Sequence, residues 1–249
     1  MPIDPPGRLY SDLAHLWPLT TPPEEYAEEA AYWRRELRRA LGPGRHKVLD
    51  LGAGSGYNLS HLTDEYDAAV VDLSEAMLEH CRHTNPTIRR FLGDMRTVRL
   101  GETFDAVLAH DAIDYMLTED DLRAVFGTAK AHLRPGGVFI TAPDSFTETF
   151  VPPTIDHETH RIGEETLTFI EYCGDSDPTD TVTDTVYVFF HTKDGKLTVE
   201  VDQQLNGLFP IATWERLLTE TGFSVERVDY PVDKDGWPMW LWVARLPAD

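Results

Sequence analysis

The stretch VLDLGAGSGYNLSHL, residues 48–62, concentrates the chemistry of the chain. An apolar run contains Asp50, then Gly52, Gly54 and Gly56 follow at every second position, and helical spacing resumes after them. Glycines permit φ values that other residues avoid and let a ligand approach the backbone. A dinucleotide, a nucleotide phosphate and an adenosyl sulfonium could each sit on such a turn. A phosphate-cradling loop needs Gly-Lys-Ser/Thr after its glycines, whereas Gly56 precedes Tyr57 and Asn58. The dinucleotide spacing is G-x-G-x-x-G. Here it is G-x-G-x-G directly after an acid, with no lysine or arginine nearby to meet a pyrophosphate. An acid beside the glycines suits a ligand carrying an ammonium and a sulfonium.

More candidate groups end the apolar runs that follow. Asp72 is placed to accept from both hydroxyls of a ribose, which fits NAD and an adenosyl sulfonium equally. The run after it closes in GDMR, where Asp94 can accept from an adenine amine while Met95 packs beside the ring. AHDAIDYM, residues 109–116, brings His110, Asp111 and Asp114 together. An imidazole there could take a proton near neutral pH, and the acids could instead hold a cationic amine. His157 and His160 in DHETH have i,i+3 spacing but no further Cys- or His-rich partner, so no metal is expected. Cys81 and Cys173 sit in dissimilar contexts and read as free thiols.

The elements that must position these groups alternate between strand and helix. Residues 22–41 read as a helix with prolines and acids at its start and arginines at its end, matching the helix dipole. Strands are expected at 46–51, 67–73, 87–94, 103–111 and 138–143. Helices are expected at 56–65, at 74–84 capped by Ser74, and at 118–133 capped by Thr118. Strands alternating with helices predict a doubly wound parallel sheet. After Pro143 the texture changes. ETLTFIEYC, DTVYVFFHT and KLTVEVDQQ read as three antiparallel strands, the last two joined by an Asp-Gly hairpin turn. A helix at 211–222 and two final strands, at 223–231 and 239–247, complete the sheet.

Composition sets the bounds. The chain has 249 residues and a net charge of −21 at pH 7, from 43 acids against 22 bases. That argues against nucleic acid as a partner, since phosphate binding needs a basic surface. No apolar run is long enough to span a bilayer and no secretory signal opens the chain, so a cytoplasmic location away from membranes is expected.

The segments LDLGAGSG, VVDLSEAML, FLGDMRTVRL, FDAVLAHDAIDYM and HLRPGGVFI, in this order and spacing over residues 47–142, resemble the class I S-adenosylmethionine-dependent methyltransferases. The insertion and its return, VDQQLNGLFPIATWERLLTETGF, look similar to the small-molecule enzymes that dimethylate amino sugars of macrolide antibiotics, with glycine N-methyltransferase-like enzymes as looser relatives. The resemblance implies a seven-stranded Rossmann-like α/β sheet with an antiparallel β insertion after the fifth strand. The chain then divides into an N-terminal arm and helix as a lid (1–45), an S-adenosylmethionine-binding core (46–145), the insertion (146–204) and the rest of the core (205–249). The alternation of apolar and polar residues over the strands of the insertion leaves one face to be buried, so it is expected to cap the acceptor pocket and to form a homodimer interface. For the cofactor the resemblance implies Gly52, Ala53 and Gly54 at the methionine part and Asp72 at the ribose. Leu73 and Met77 would flank the adenine, with Asp94 and Met95 at its edge, and Gly56, Asn58 and Arg96 are further cofactor-binding candidates. His110 would lie on the sulfonium side, and Tyr10 would reach back from the arm. His110, Asp111 and Tyr10 are the catalytic candidates. The expected activity is methyl transfer to a small-molecule amine. A hydroxyl acceptor with His110 as base, and a non-catalytic cofactor-binding partner subunit, remain open as alternatives.

Overall fold

The structure is a computed structural model that describes residues 7–231 and 238–248. An arm of short turns (Arg8–Tyr10, Ala14–Leu16) and α1 (Trp17–Thr20) leads through a turn at Pro23–Tyr26 into α2 (Ala27–Leu41). Glu28 and Glu29 lie in the first turn of α2, Arg38 and Arg39 in its last, and Gly42 stops it at φ 78°. The core then alternates: β1 (His46–Leu51), α3 (Tyr57–Ser60), β2 (Tyr66–Asp72), α4 (Glu75–Thr84), β3 (Arg89–Leu92), β4 (Phe104–Ala109), α5 (Glu119–His132) and β5 (Leu133–Thr141). The expected caps form, with Ser74 accepting from the N–H of Met77 and Thr118 from that of Asp121.

An insertion follows, comprising β6 (Thr154–Ile162), β7 (Glu165–Gly174), β8 (Val182–Lys193) and β9 (Lys196–Gly207). The chain returns through α6 (Ile211–Thr221), β10 (Ser224–Asp229) and β11 (Trp240–Arg245). The core sheet has seven strands in the order β10-β11-β5-β4-β1-β2-β3. β11 is antiparallel to both of its neighbours. The expected methyltransferase-like sheet is therefore present. Its topological switch lies between β1 and β4, where an open α/β sheet binds ligands at the carboxyl ends of its strands.

Side chains alternate between two cores, one on each face. Leu49, Val71, Val107 and Phe139 pack under α5 and α6, while Val48, Val70, Leu108 and Ile140 pack under α2 and α4. The loop joining β10 to β11 falls largely outside the described residues. Among the described residues no helix is long and apolar enough to cross a membrane.

Three expectations need correction. The insertion sheet has four strands, not three, in the order β6-β7-β8-β9. The missed β6 carries the polar run DHETHR on an edge, where neither face needs to be apolar. The helix expected at 56–65 is one α-turn, α3, after which the N–H groups of His61 and Leu62 bond three residues back. β5 begins at Leu133 because RPGG continues extended after the last turn of α5. The Asp-Gly hairpin is as expected, with Asp194 at φ 52° and Gly195 at φ 70°.

Candidate active site

The glycine turn leaves β1 at the switch point. The N–H groups of Gly52 and Ala53 donate to the carbonyl of Val71, at 2.8 and 3.2 Å. Gly52, Gly54 and Gly56 all have positive φ. A Cβ on Gly52 would lie 2.4 Å from Cβ of Ala112 and 2.6 Å from Cε of Met95. Glycine there lets the β4 loop and Met95 close on the turn. Asp72 joins β2 to the turn, its carboxylate accepting from the N–H of Gly54 at 2.7 Å and of Ser74 at 2.8 Å. Each oxygen keeps a lone pair for a further donor. Met77 is fully buried on α4 and Leu73 is half-buried.

Asp50 is 6% exposed, and its Oδ1 has no hydrogen-bond partner among the described residues. Burial pushes this carboxyl up to about 7, with His110 opposing and Asp72 and Asp111 adding to the shift. Asp114, equally buried, accepts from the N–H of Asp144 through Oδ2, while its Oδ1 is unpartnered. Burial raises its pKa as well.

His110 stands between carboxylates. Nδ1 lies 2.9 Å from Asp111, and Nε2 lies 3.2 Å from Glu29 and 3.3 Å from the Tyr230 hydroxyl. Burial opposes its charge, but Asp111, Tyr230 and Glu29 outweigh burial and hold the imidazole well above its ordinary range. With a proton on each nitrogen the ring has no lone pair with which to act as a base.

The arm folds over the turn. Trp17 Nε1 donates to Ser55 Oγ at 2.8 Å, Ser74 Oγ donates to the carbonyl of Tyr10 at 2.5 Å, and His80 Nε2 contacts the carbonyl of Ala14 at 2.8 Å. Leu9, Leu13, Leu16 and Leu19 of the arm pack against Leu167 and Phe189 of the insertion. Tyr10 thus sits between the β2 end and the insertion, its hydroxyl 2.7 Å from that of Tyr115.

Other expected site residues are placed differently. Asp94 accepts a fork of bonds from the Arg96 guanidinium, and Arg96 also bonds Asp121. The expected bond from Asp94 to an adenine amine would have to displace part of that fork. Asn58 is half-buried on α3 with Oδ1 unpartnered. His157 and His160 point to opposite faces of β6, since strand neighbours alternate, so they cannot share a ligand. His160 instead bonds Glu158 at 2.8 Å, with Glu25 nearby.

Sequence reasoning passed over Trp17, Glu29, Tyr115, Asp144, Glu171 and Gln204. Glu171, on the inner face of β7, accepts from the Tyr187 hydroxyl at 2.9 Å. Only the alternation of β7 marks it as inward-facing; its partners come from distant segments.

A methyltransferase domain model matches residues 48–137. The chain is 39% identical over 129 residues to dTDP-3-amino-3,4,6-trideoxy-alpha-D-glucopyranose N,N-dimethyltransferase of Streptomyces venezuelae, covering 51% of this chain and about half (54%) of that relative. The crystal structure of Streptomyces venezuelae DesVI superposes with TM-score 0.83 at 30% identity, covering 96% of this chain and 98% of that one. The chain belongs to the S-adenosylmethionine-dependent methyltransferases. A further similar structure is SAM-bound CalS10 from Micromonospora echinaspora, an amino pentose methyltransferase, at TM-score 0.76 and 25% identity, covering 88% of this chain and 91% of that one. Within this methyltransferase, the glycine turn, Asp50 and Asp72 occupy the carboxyl edge of the sheet, and Tyr10 faces them from the arm.

Proposed function

We propose that this methyltransferase N-methylates a small, polar amine, with amino sugars as the acceptor class. The observation that carries the reading is the buried carboxylate oxygen Asp114 Oδ1, which has no hydrogen-bond partner among the described residues and lies in the loop after β4 beside Asp111 and His110. A buried carboxylate oxygen without a donor is costly, and a cationic or N–H-bearing ligand would satisfy it. Similarity to the amino-sugar N,N-dimethyltransferase and to the amino pentose methyltransferase named above supports the same reading.

The residues fit S-adenosylmethionine. Asp50 would face its ammonium, Gly52, Ala53 and Gly54 would lie along its methionine part, Asp72 would take the ribose, and Leu73 and Met77 would flank the adenine. When bound, the cofactor supplies an activated methyl on a sulfonium. What the protein adds is placement and exclusion of water. The arm and the insertion close the cleft. Asp111 and Asp114 hold the amine, and Asp114 Oδ1 takes the proton the nitrogen must shed after methylation. His110, as an imidazolium fixed by Asp111 and Glu29, orients Asp111.

The outer face of the insertion supports a homodimer. Ile155, Tyr172, Leu197, Val199, Val201 and Leu205 are all exposed there, from 40 to 68%, and a second copy of the same face would cover them.

The test is a panel of amino sugars, simple amines and phenols assayed for methyl transfer. Methylation of the amino sugars is expected. Activity confined to the phenols would overturn the amine reading.

A further inference from the structure

The arm, the loop after β4 and the insertion are joined by one closed chain of hydrogen bonds. Asp202 Oδ2 accepts from the N–H of Leu9 at 2.8 Å and from Nε2 of Gln204 at 2.7 Å. Gln204 Oε1 accepts from the Tyr115 hydroxyl at 2.7 Å, and the Tyr115 oxygen meets the Tyr10 hydroxyl at 2.7 Å. Asp202 is 2% exposed and Gln204 8%. Gly7 lies against the pair, so that a Cβ there would fall 2.6 Å from Gln204 Nε2 and 3.0 Å from Asp202 Oδ2. Asp202, Gln204 and Tyr115 have no part in the placement of the cofactor.

The chain has a direction. A carboxylate only accepts, so the Gln204 amide must turn its NH₂ to Asp202 and its oxygen to Tyr115. Tyr115 must then spend its one hydroxyl proton on Gln204. Its oxygen is left to accept, and the remaining donor is the Tyr10 hydroxyl. Tyr10 therefore points its proton away from the cleft. Burial, with Asp111 and Glu171 nearby, raises the Tyr10 pKa and keeps that proton in place.

We propose that Asp202 and Gln204 are positioning residues that fix the Tyr10 hydroxyl as a hydrogen-bond acceptor facing the methyl-transfer cleft. The proposal rests on the amine reading for its chemical meaning. An acceptor-only oxygen takes an N–H from the incoming amine and so turns the nitrogen lone pair away from itself, toward the methyl. A primary or secondary neutral amine has such an N–H and a tertiary amine has none. The device thus favours acceptors that can still be methylated and disfavours a third transfer.

Two measurements test it. The first is a neutron structure of the wild-type protein with S-adenosylhomocysteine, which needs no acceptor. Deuterium on Tyr115 directed at Gln204, and on Tyr10 directed at Tyr115, is expected; the opposite order overturns the relay. The second is a double-mutant cycle on a methylatable amine. Tyr10→Phe and Gln204→Leu should each lower kcat roughly 3- to 10-fold, the worth of one hydrogen bond, with KM for S-adenosylmethionine unchanged in Gln204→Leu. The double variant should be no worse than Tyr10→Phe alone. Additive losses would overturn the relay by showing that Gln204 acts independently of Tyr10. Tyr115→Phe breaks the same link from the β4 loop and gives the same cycle should Gln204→Leu fail to fold. If the wild type methylates no amine, the function reading fails while the neutron map still decides the relay.

Discussion

Trp17 Nε1 donates to Ser55 Oγ at 2.8 Å, so a side chain of the arm rests directly on the glycine turn. The bond spans 38 residues and joins the arm to the glycine turn, the proposed seat of the cofactor. Trp17→Phe keeps the ring and removes the donor. Binding of S-adenosylhomocysteine should weaken about 2- to 10-fold, the worth of one neutral hydrogen bond, and a protease should cut the arm faster. Calorimetry and a timed digest read both, and unchanged values in both would detach the arm from the turn.

Asp72→Ala should weaken S-adenosylhomocysteine by about 1.5–3 kcal/mol, because bonds to a charged carboxylate are lost. The Gly54 and Ser74 amides lose their acceptor in the same variant. Asp72→Asn, which still accepts, should fall between the two proteins in calorimetry. An affinity equal to wild type in the alanine variant would remove Asp72 from the ribose site.

The Asp50 carboxyl, held up to about 7 by burial, gives a pH dependence of defined sign. Its unfolded pKa is about 3.9, so between these values the native state binds more protons than the unfolded one. Stability from this group therefore falls as pH rises from about 4 to 7 and levels off above. A cationic ligand needs the ionised form, so its affinity should drop by up to about tenfold per pH unit below 7. Asp50→Asn should abolish that dependence and bind more weakly at pH 8. Titrations of S-adenosylhomocysteine at several pH values check it, and a wild-type affinity flat from pH 8 to 6 would contradict it.

His110 lies between Asp111 and Glu29, and these groups with Tyr230 hold its pKa well above the ordinary range, which favours a ring protonated on both nitrogens over one acting as a base. His110→Asn should therefore keep kcat for an amine within about tenfold of wild type. A general base contributes roughly 10²- to 10⁴-fold, and a loss of that size would restore the base role and favour a hydroxyl acceptor. Because its folded pKa is raised, the stabilisation from this pair is complete below about pH 6.5 and fades as pH rises through the folded value.

Val199→Lys combined with Val201→Lys places two charges on the outer face of β9, where both side chains are about half exposed, at 52 and 44%. Light scattering should give a dimer for the wild type and a monomer for the variant, with the melting temperature nearly unchanged. A monomeric wild type at micromolar concentration would discard the dimer.

The core sheet was legible because buried parallel strands read as near-continuous apolar runs, as in VLDL and AAVVD, and because Ser74 and Thr118 stand where helices need caps. The hairpin at Asp194-Gly195 was legible for its turn chemistry. β6 was not, since an edge strand with polar residues on both faces shows no period. The placement of Asp50 and Asp72 beside the glycine turn was legible because each lies at the end of an apolar strand run. Asp202 and Gln204 could be read as one face of a strand but not as linked to Tyr10 through Tyr115 and the Leu9 N–H, because bonds across 89 to 193 positions leave no local pattern. The ionisation of His110 was equally hidden, as Glu29 arrives from a helix 81 positions earlier.

The arm touches the core at Ser55, Ser74 and His80 and the insertion at Asp202 and Leu167. One lever thus covers both halves of the cleft. On the proposed placement of cofactor and amine, spent cofactor would leave only when the arm lifts, and lifting it would also free the cap above the amine. If the acceptor takes two methyl groups, they would then be added in separate encounters rather than in one residence, and the reaction would be distributive and not processive. Monomethylated acceptor would build up in solution early in the reaction and be consumed later, in competition with fresh substrate.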